Sequence, residues 1–172
     1  MRGTTIAGAL LVAGSLLAGG CARSHEPALP PGQAVVVRVV DGDTIVVRIE
    51  GHDEDVRLIG VDTPEEKKPN TPVECYAREA AAHTSALLPA GTVVQLERDH
   101  EPRDRYGRLL AYVARVTDGL SIEADLLQGG YAGTLTIAPN TAHASTYASM
   151  VNVAQRAGVG LWGACGGNHV VR

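Results

Sequence analysis

A mainly β, α+β fold built as a small closed barrel is what this sequence predicts, on three observations. Valine-rich runs recur over residues 33–61, broken at Asp41-Gly42 and at Gly51. A stretch with apolar residues at spacings of three and four follows over residues 74–88. Two more strand-like runs then precede two helical ones. A five-stranded OB-fold barrel with three helices has this order of elements.

Gln33 to Val40 is a run dominated by valine and forms the first predicted strand. Thr44 to Ile49 alternates and forms the second, joined to the first through Asp-Gly, a strong hairpin signal. Gly51 to Asp53 is a turn, and Asp55 to Val61 is the third strand. Glu65 to Thr71 reads as a polar loop. Glu74 to Leu88 is predicted helical, with Ala77, Ala80, Ala81, Thr84, Leu87 and Leu88 on one stripe and Pro89-Ala90-Gly91 ending it. Thr92 to Glu97 and Leu109 to Val116 are the fourth and fifth strands. Ser121 caps a short helix that runs to Gln128 and stops at Gly129-Gly130. The last helix spans Thr141 to Ala157, with Tyr147, Met150, Val151 and Ala154 facing inward and Gly158 closing it. Leu161-Trp162 is expected to pack back on the body, and no internal repeat is present.

At 172 residues the chain is long enough for one domain with a real core. Its 45% apolar and 20% charged content excludes disorder over most of the length. Phenylalanine is absent, so the core must be built from Val, Leu, Ile and Ala. A net charge of −4 and a pI near 5.8 argue against a broadly basic nucleic-acid surface, though not against a local basic cleft.

The first 20 residues have the layout of a signal peptide: Arg2, an apolar stretch from Ile6 to Leu17, then small residues before Cys21. Leu17-Ala18-Gly19-Gly20-Cys21 resembles a bacterial lipoprotein cleavage site, with Ala18 where leucine is usual. Lipidation at Cys21 is therefore expected, with ordinary secretion or a retained anchor helix as alternatives. The expected location is extracytoplasmic, on a membrane anchor or secreted. Residues 21–32, with Pro27, Pro30 and Pro31, read as a tether. Residues 33–165 form the expected domain, and 166–172 a C-terminal tail. If Cys21 takes lipid, Cys75 and Cys165 remain, which in an exported chain suggests a disulfide. Two unpaired buried thiols are the alternative. The six histidines are scattered, and no metal pair is visible among them.

Three motifs carry chemistry: Asp41-Gly42-Asp43-Thr44, Arg57-Leu58-Ile59-Gly60-Val61-Asp62-Thr63-Pro64-Glu65, and Asp104-Arg105-Tyr106-Gly107-Arg108. Each also has a plain structural reading. Asp-Gly can be only a turn. Asp62-Thr63-Pro64 can be only a strand ending before proline. Arg-Tyr-Gly-Arg can be only a solvated loop. Their coincidence is what points to a site, because together they supply the acids Asp41, Asp43 and Asp62, a candidate base in Glu65 and the arginines Arg57 and Arg108.

In order and spacing these motifs resemble the staphylococcal nuclease (thermonuclease) family, from about Val37 to Trp162. The resemblance implies an OB barrel with three helices. It implies one calcium ion held by Asp43, Asp62 and the Thr63 carbonyl, with Asp41 beside the metal. Glu65 would orient or deprotonate the attacking water. Arg57 and Arg108 would hold the scissile phosphate, and Tyr106, with Arg105, would contact substrate. Chemistry agrees with these roles. Calcium takes oxygen ligands, arginine matches phosphate oxygens in pairs, and a carboxylate can take a water proton.

The implied function is calcium-dependent endonuclease cleavage of DNA and RNA that leaves 3′-phosphate ends, by a monomer whose membrane contact is limited to its N-terminal anchor. The alternatives are a non-catalytic OB module binding nucleic acid or another ligand at the cell surface, and a calcium-binding structural protein. Neither needs Arg57, Glu65 and Arg108 together. One departure from the family is that Leu135-Thr136-Ile137-Ala138 stands before Pro139-Asn140, where the family carries a pair of tyrosines. Base stacking, worth roughly 1–3 kcal/mol per base, should be weaker for it. In the family's architecture the tail returns near the first helix, so Cys75 and Cys165 can meet away from the catalytic loops. Reduction is then expected to spare folded-state activity.

Overall fold

The computed structural model describes residues 29–66 and 72–171. The expected leader, Cys21 and most of the expected tether lie outside the described residues. Among the described residues no helix is long and apolar enough to cross a membrane.

Strands β1 (Gln33–Asp41) and β2 (Thr44–Ile49) form a hairpin in which Asp41 faces Thr44 across Gly42-Asp43. Strand β3 (His52–Leu58) runs antiparallel to β2. Two later strands, β5 (Val93–Glu97) and β6 (Leu109–Arg115), complete the wall. The order is β1-β2-β3-β6-β5, with β6 parallel to β3 and β5 antiparallel to β1, so the sheet closes on itself. Closure removes the exposed edges that a five-stranded open sheet would carry. Ala34, Val36, Ile45, Val47, Val56, Leu58, Val94 and Val113 fill the interior, the aliphatic core the composition requires.

The third predicted strand is in fact two. β3 begins earlier, at His52, and the chain breaks at Gly60, where φ is +83°. A Cβ at Gly60 would lie 2.7 Å from the Tyr147 ring, so glycine is required both by conformation and by space. Beyond it, β4 (Gly60–Asp62) turns aside to pair with β7 (Gly133–Leu135), a three-residue strand too short to show a period. That turn carries Asp62 out of the barrel wall.

Helix α1 (Ala77–Leu87) starts three residues later than expected, because Cys75 and Tyr76 form a turn and Tyr76 has φ 71°. Glu74 is thereby left off the helix. α1 buries Ala77, Ala80 and Thr84 on its barrel face. Helix α2 (Ile122–Gln128) is capped as predicted, with the Ala124 N–H donating to the Ser121 hydroxyl at 3.2 Å. Helix α3 (Ala144–Ala157) buries Tyr147, Val151 and Ala154 and ends at Gly158. A final turn, α4 (Leu161–Ala164), sets Trp162 against the core.

One buried acid couples the fold to pH. Glu123 on α2 is fully buried and accepts the Val113 N–H of β6 at 2.8 Å. Burial pushes its pKa up to about 8, against about 4.3 in an unfolded chain. The folded state therefore holds a proton that the unfolded state has lost, and this part of the stability drains away as pH rises through that window. Gln at this position keeps the acceptor and removes the titration. The Glu123→Gln chain should match wild type below about pH 4. By pH 8 to 9 it should be the more stable by more than about 1 kcal/mol, the equivalent of a single pKa unit. Denaturant melts across pH check this, and parallel curves would contradict it.

Cys75 and Cys165 are joined by a disulfide, with Cα atoms 6.0 Å apart and a sequence separation of 90. Closing so long a loop stabilises by about 4–5 kcal/mol in the chain-entropy picture, an upper figure. Reduction should lower the melting temperature. Melting with and without reductant reads this directly, and an unchanged melt would show that the bond adds nothing.

Candidate active site

The two-residue turn between β1 and β2 aims Asp43 inward. Its backbone carbonyl accepts from the Leu58 N–H at 2.9 Å. Its carboxylate accepts the Thr63 N–H at 2.9 Å and the Thr44 hydroxyl at 3.2 Å. Gly42 lies so close to Thr63 that a Cβ would come within 2.7 Å of that side chain. The Gly42 carbonyl in turn accepts the Thr84 hydroxyl of α1 at 2.7 Å. Turn and site are thus one object: the small residue that makes the hairpin also lets Asp43 meet the end of β4.

Asp62 arrives from that end. Arg57, on β3, bridges the two acids, its Nη2 lying 3.0 Å from Asp43 Oδ2 and 3.1 Å from Asp62 Oδ1. Its Nη1 donates to the Leu58 and Val61 carbonyls, both at 2.9 Å. Arg57 and Asp43 are both largely buried. Asp41 stands behind, and its pKa is pushed up to about 6, first by burial and then by the neighbouring Asp43 carboxylate. Negative charge here exceeds what Arg57 alone can balance.

Arg108 reaches the same cavity from the 104–108 turn, where Gly107 has φ +86°. Asp104 fixes it, accepting from Arg108 Nε at 2.7 Å and from its backbone N–H at 3.0 Å. Burial would raise the Asp104 pKa, but hydrogen bonds from Arg108 and Tyr106 outweigh it and hold the carboxyl below its usual value. Tyr106 is well exposed and stacks with both neighbours, the Arg105 guanidinium 4.8 Å and that of Arg108 5.6 Å from its ring.

Asp41, Asp43, Arg57, Asp62, Thr63, Glu65 and Arg108 line one cavity of about 330 Å³. All the acids and bases expected at the site therefore converge. Arg105 and Tyr106 do not enter that cavity. They line an adjoining, more apolar groove with Leu135, Ile137 and Pro139, which shares Arg57 and Arg108 with it.

The donor set suits a hard cation: two carboxylates that already share one positive group, with a third acid behind. Among the described residues no group of three or more His, Cys, Asp or Glu could by itself hold a metal ion. Calcium commonly completes an open set with waters.

Glu74 and His169 also line the cavity, and sequence reasoning missed both. Glu74 Oε2 accepts the Glu65 N–H at 2.8 Å, and the Glu74 N–H donates to the Glu65 carbonyl at 3.0 Å. His169 lies between Asp62 Oδ2 and Glu74 Oε2, its two ring nitrogens 2.6 Å from each. Burial acts to lower its pKa, but the bonds to Asp62 and Glu74 prevail and the imidazole is held above its ordinary value. The helix period swallowed Glu74, and His169 lay in what read as a tail. Its arrival also corrects the expectation that the disulfide is remote from the catalytic loops, since Cys75 adjoins Glu74 and the chain after Cys165 runs onto the cavity.

Comparison with known proteins bears on the family. Residues 55–164 match the family described as staphylococcal nuclease homologue. A thermonuclease of Staphylococcus intermedius is 41% identical over 128 residues, covering 74% of both chains. A thermonuclease of Staphylococcus hyicus is 54% identical over 78 residues, 45% of this chain and 46% of that one. The endonuclease YncB of Bacillus subtilis (strain 168) is 39% identical over 131 residues, covering 75% of this chain and 61% of that protein. The chain thus spans well under two thirds of the Staphylococcus hyicus protein and somewhat under two thirds of the Bacillus one.

Proposed function

The chain belongs to the staphylococcal nuclease homologue family, and from that premise we propose that it is a calcium-dependent endonuclease hydrolysing phosphodiester bonds of DNA and RNA. The observation that carries this reading is the convergence of Asp43 and Asp62 on one guanidinium nitrogen, in a cavity that also holds Glu65 and Arg108.

Asp43, Asp62 and the Thr63 carbonyl would hold a single calcium ion, with Asp41 beside it. When bound, the ion supplies positive charge that offsets the anionic phosphodiester and favours attack by water. The chain's own residues do the rest. Arg57 and Arg108 donate to the phosphate oxygens on which charge grows, and Asp104 keeps the Arg108 fork aimed. Glu65 takes the proton of the attacking water. Tyr106 and Arg105 receive the flanking sugar-phosphate in the adjoining groove. Aliphatic Leu135 and Ile137 in that groove support loose, sequence-tolerant binding rather than tight stacking.

Cleavage of the 5′ P–O bond, leaving 3′-phosphate ends, is the product outcome we assign. We place the enzyme outside the cytoplasm as a monomer, tethered through a lipid on Cys21 after removal of residues 1–20. The disulfide fits such an oxidising location.

Incubating the purified chain from Cys21 onward with plasmid DNA and with RNA, in calcium or in chelator, tests the reading. Both substrates should be degraded in calcium and left intact in chelator. Full cleavage in chelator would remove the metal assignment, and intact substrates in both would remove the nuclease.

A further inference from the structure

Three groups of the C-terminal segment anchor it beside the cavity, and one of them, His169, lines it. Asn168 Nδ2 donates to the Asp62 carbonyl at 3.0 Å. His169 bridges the Asp62 and Glu74 carboxylates at 2.6 Å each. The Val170 carbonyl accepts the Cys75 N–H at 2.7 Å. The disulfide pins this strap just before it crosses. His169 is held at φ 56°, an uncommon conformation for any residue but glycine, and one that surrounding contacts must impose.

Glu74 is the link to chemistry. It clamps the two described ends of the loop that bears Glu65, through bonds to the Glu65 N–H and carbonyl. His169 occupies the same Glu74 oxygen that receives the Glu65 N–H, while its other nitrogen holds Asp62. A single ring thus joins the proposed metal-binding carboxylate to the support of the proposed base. A terminal segment that only covered apolar surface would have no need to place a ring between two acids.

We propose that His169 is a positioning residue, delivered by a disulfide-pinned strap, that fixes the Glu65 loop relative to Asp62. The proposal rests on the nuclease reading for its catalytic consequence, though not for its structural one. Without the ring, Asp62 keeps Arg57 but loses its link to Glu74, and the loop end bearing Glu65 loses its brace. Supporting residues of this kind typically cost about 10-fold or more in activity when removed.

The test compares the wild-type, His169→Ala and His169→Gln full-length mature chains by two readouts. The first is hydrogen exchange of the Glu65 and Cys75 amides in the calcium-free protein. The second is kcat and KM on a defined oligonucleotide at saturating calcium. His169→Ala should speed exchange at Glu65 and lower kcat about 10-fold, with KM and melting temperature little changed. His169→Gln, which keeps one donor, should recover part of both. Wild-type exchange and kcat in His169→Ala would overturn the proposal. So would equal losses in the two variants that follow their melting temperatures, since that is a purely structural role. Should the wild-type chain cut nothing in calcium, the nuclease reading falls, and exchange at Glu65 alone decides whether the strap holds the loop.

Discussion

Replacing Arg57 by alanine should damage this protein twice. Turnover at saturating calcium should fall by roughly 10²–10³, the usual loss when one preorganised donor to a developing oxyanion is removed. In chelator the same change should also cost about 3 kcal/mol of stability. The second loss follows from where Arg57 sits. Its Nη2 is shared by Asp43 and Asp62 at 3.0 and 3.1 Å, and its Nη1 ties two carbonyls at the β3–β4 junction. Removing one partner of a largely buried pair leaves the other charged and alone, which is the costly case. Calcium binding to the same acids should return much of the stability, since a ligand that prefers the folded chain stabilises it. Arg108 differs. It is partly exposed and answers mainly to Asp104, so Arg108→Ala should lose rate with little stability. Melting in calcium and in chelator, together with kcat, separates the two. An Arg57→Ala chain that melts like wild type in chelator would show that the bridge between the acids carries no weight.

Much of the barrel was legible because its signals are local. Valine runs, the Asp-Gly turn, the Ser121 cap and the helical stripe each act over a few residues, and the structure keeps them. What stayed hidden depends on contacts between distant residues. The break at Gly60 exists because Tyr147, 87 positions later, occupies the space beside it. β7 exists because β4 offers it an edge, and three residues show no period of their own. The late start of α1 reflects a left-handed Tyr76 that no propensity scale favours. The same division holds at the site. Asp43, Asp62, Arg57, Glu65 and Arg108 stand in short motifs and could be named from them. Glu74 and His169 have no motif, and only the disulfide and the return of the chain bring them in. A sequence-level cue did exist: Glu74 precedes the cysteine that pairs with Cys165, and His169 follows Cys165 by four residues.

In the proposed mechanism these acids and arginines form one hydrolytic site in which Glu65 handles the proton of water. Glu65→Gln isolates that step. The amide keeps the shape of the side chain and removes its basic oxygen, while the loop remains held through the Glu65 backbone by Glu74. General-base catalysis typically contributes roughly 10²–10⁴ in rate. The measurement is kcat of Glu65→Gln on DNA at saturating calcium, with calcium affinity measured on the same preparation. A loss of that size with calcium binding largely kept is the result this account predicts. Unchanged kcat would make Glu65 a loop residue, place the base elsewhere and contradict the account.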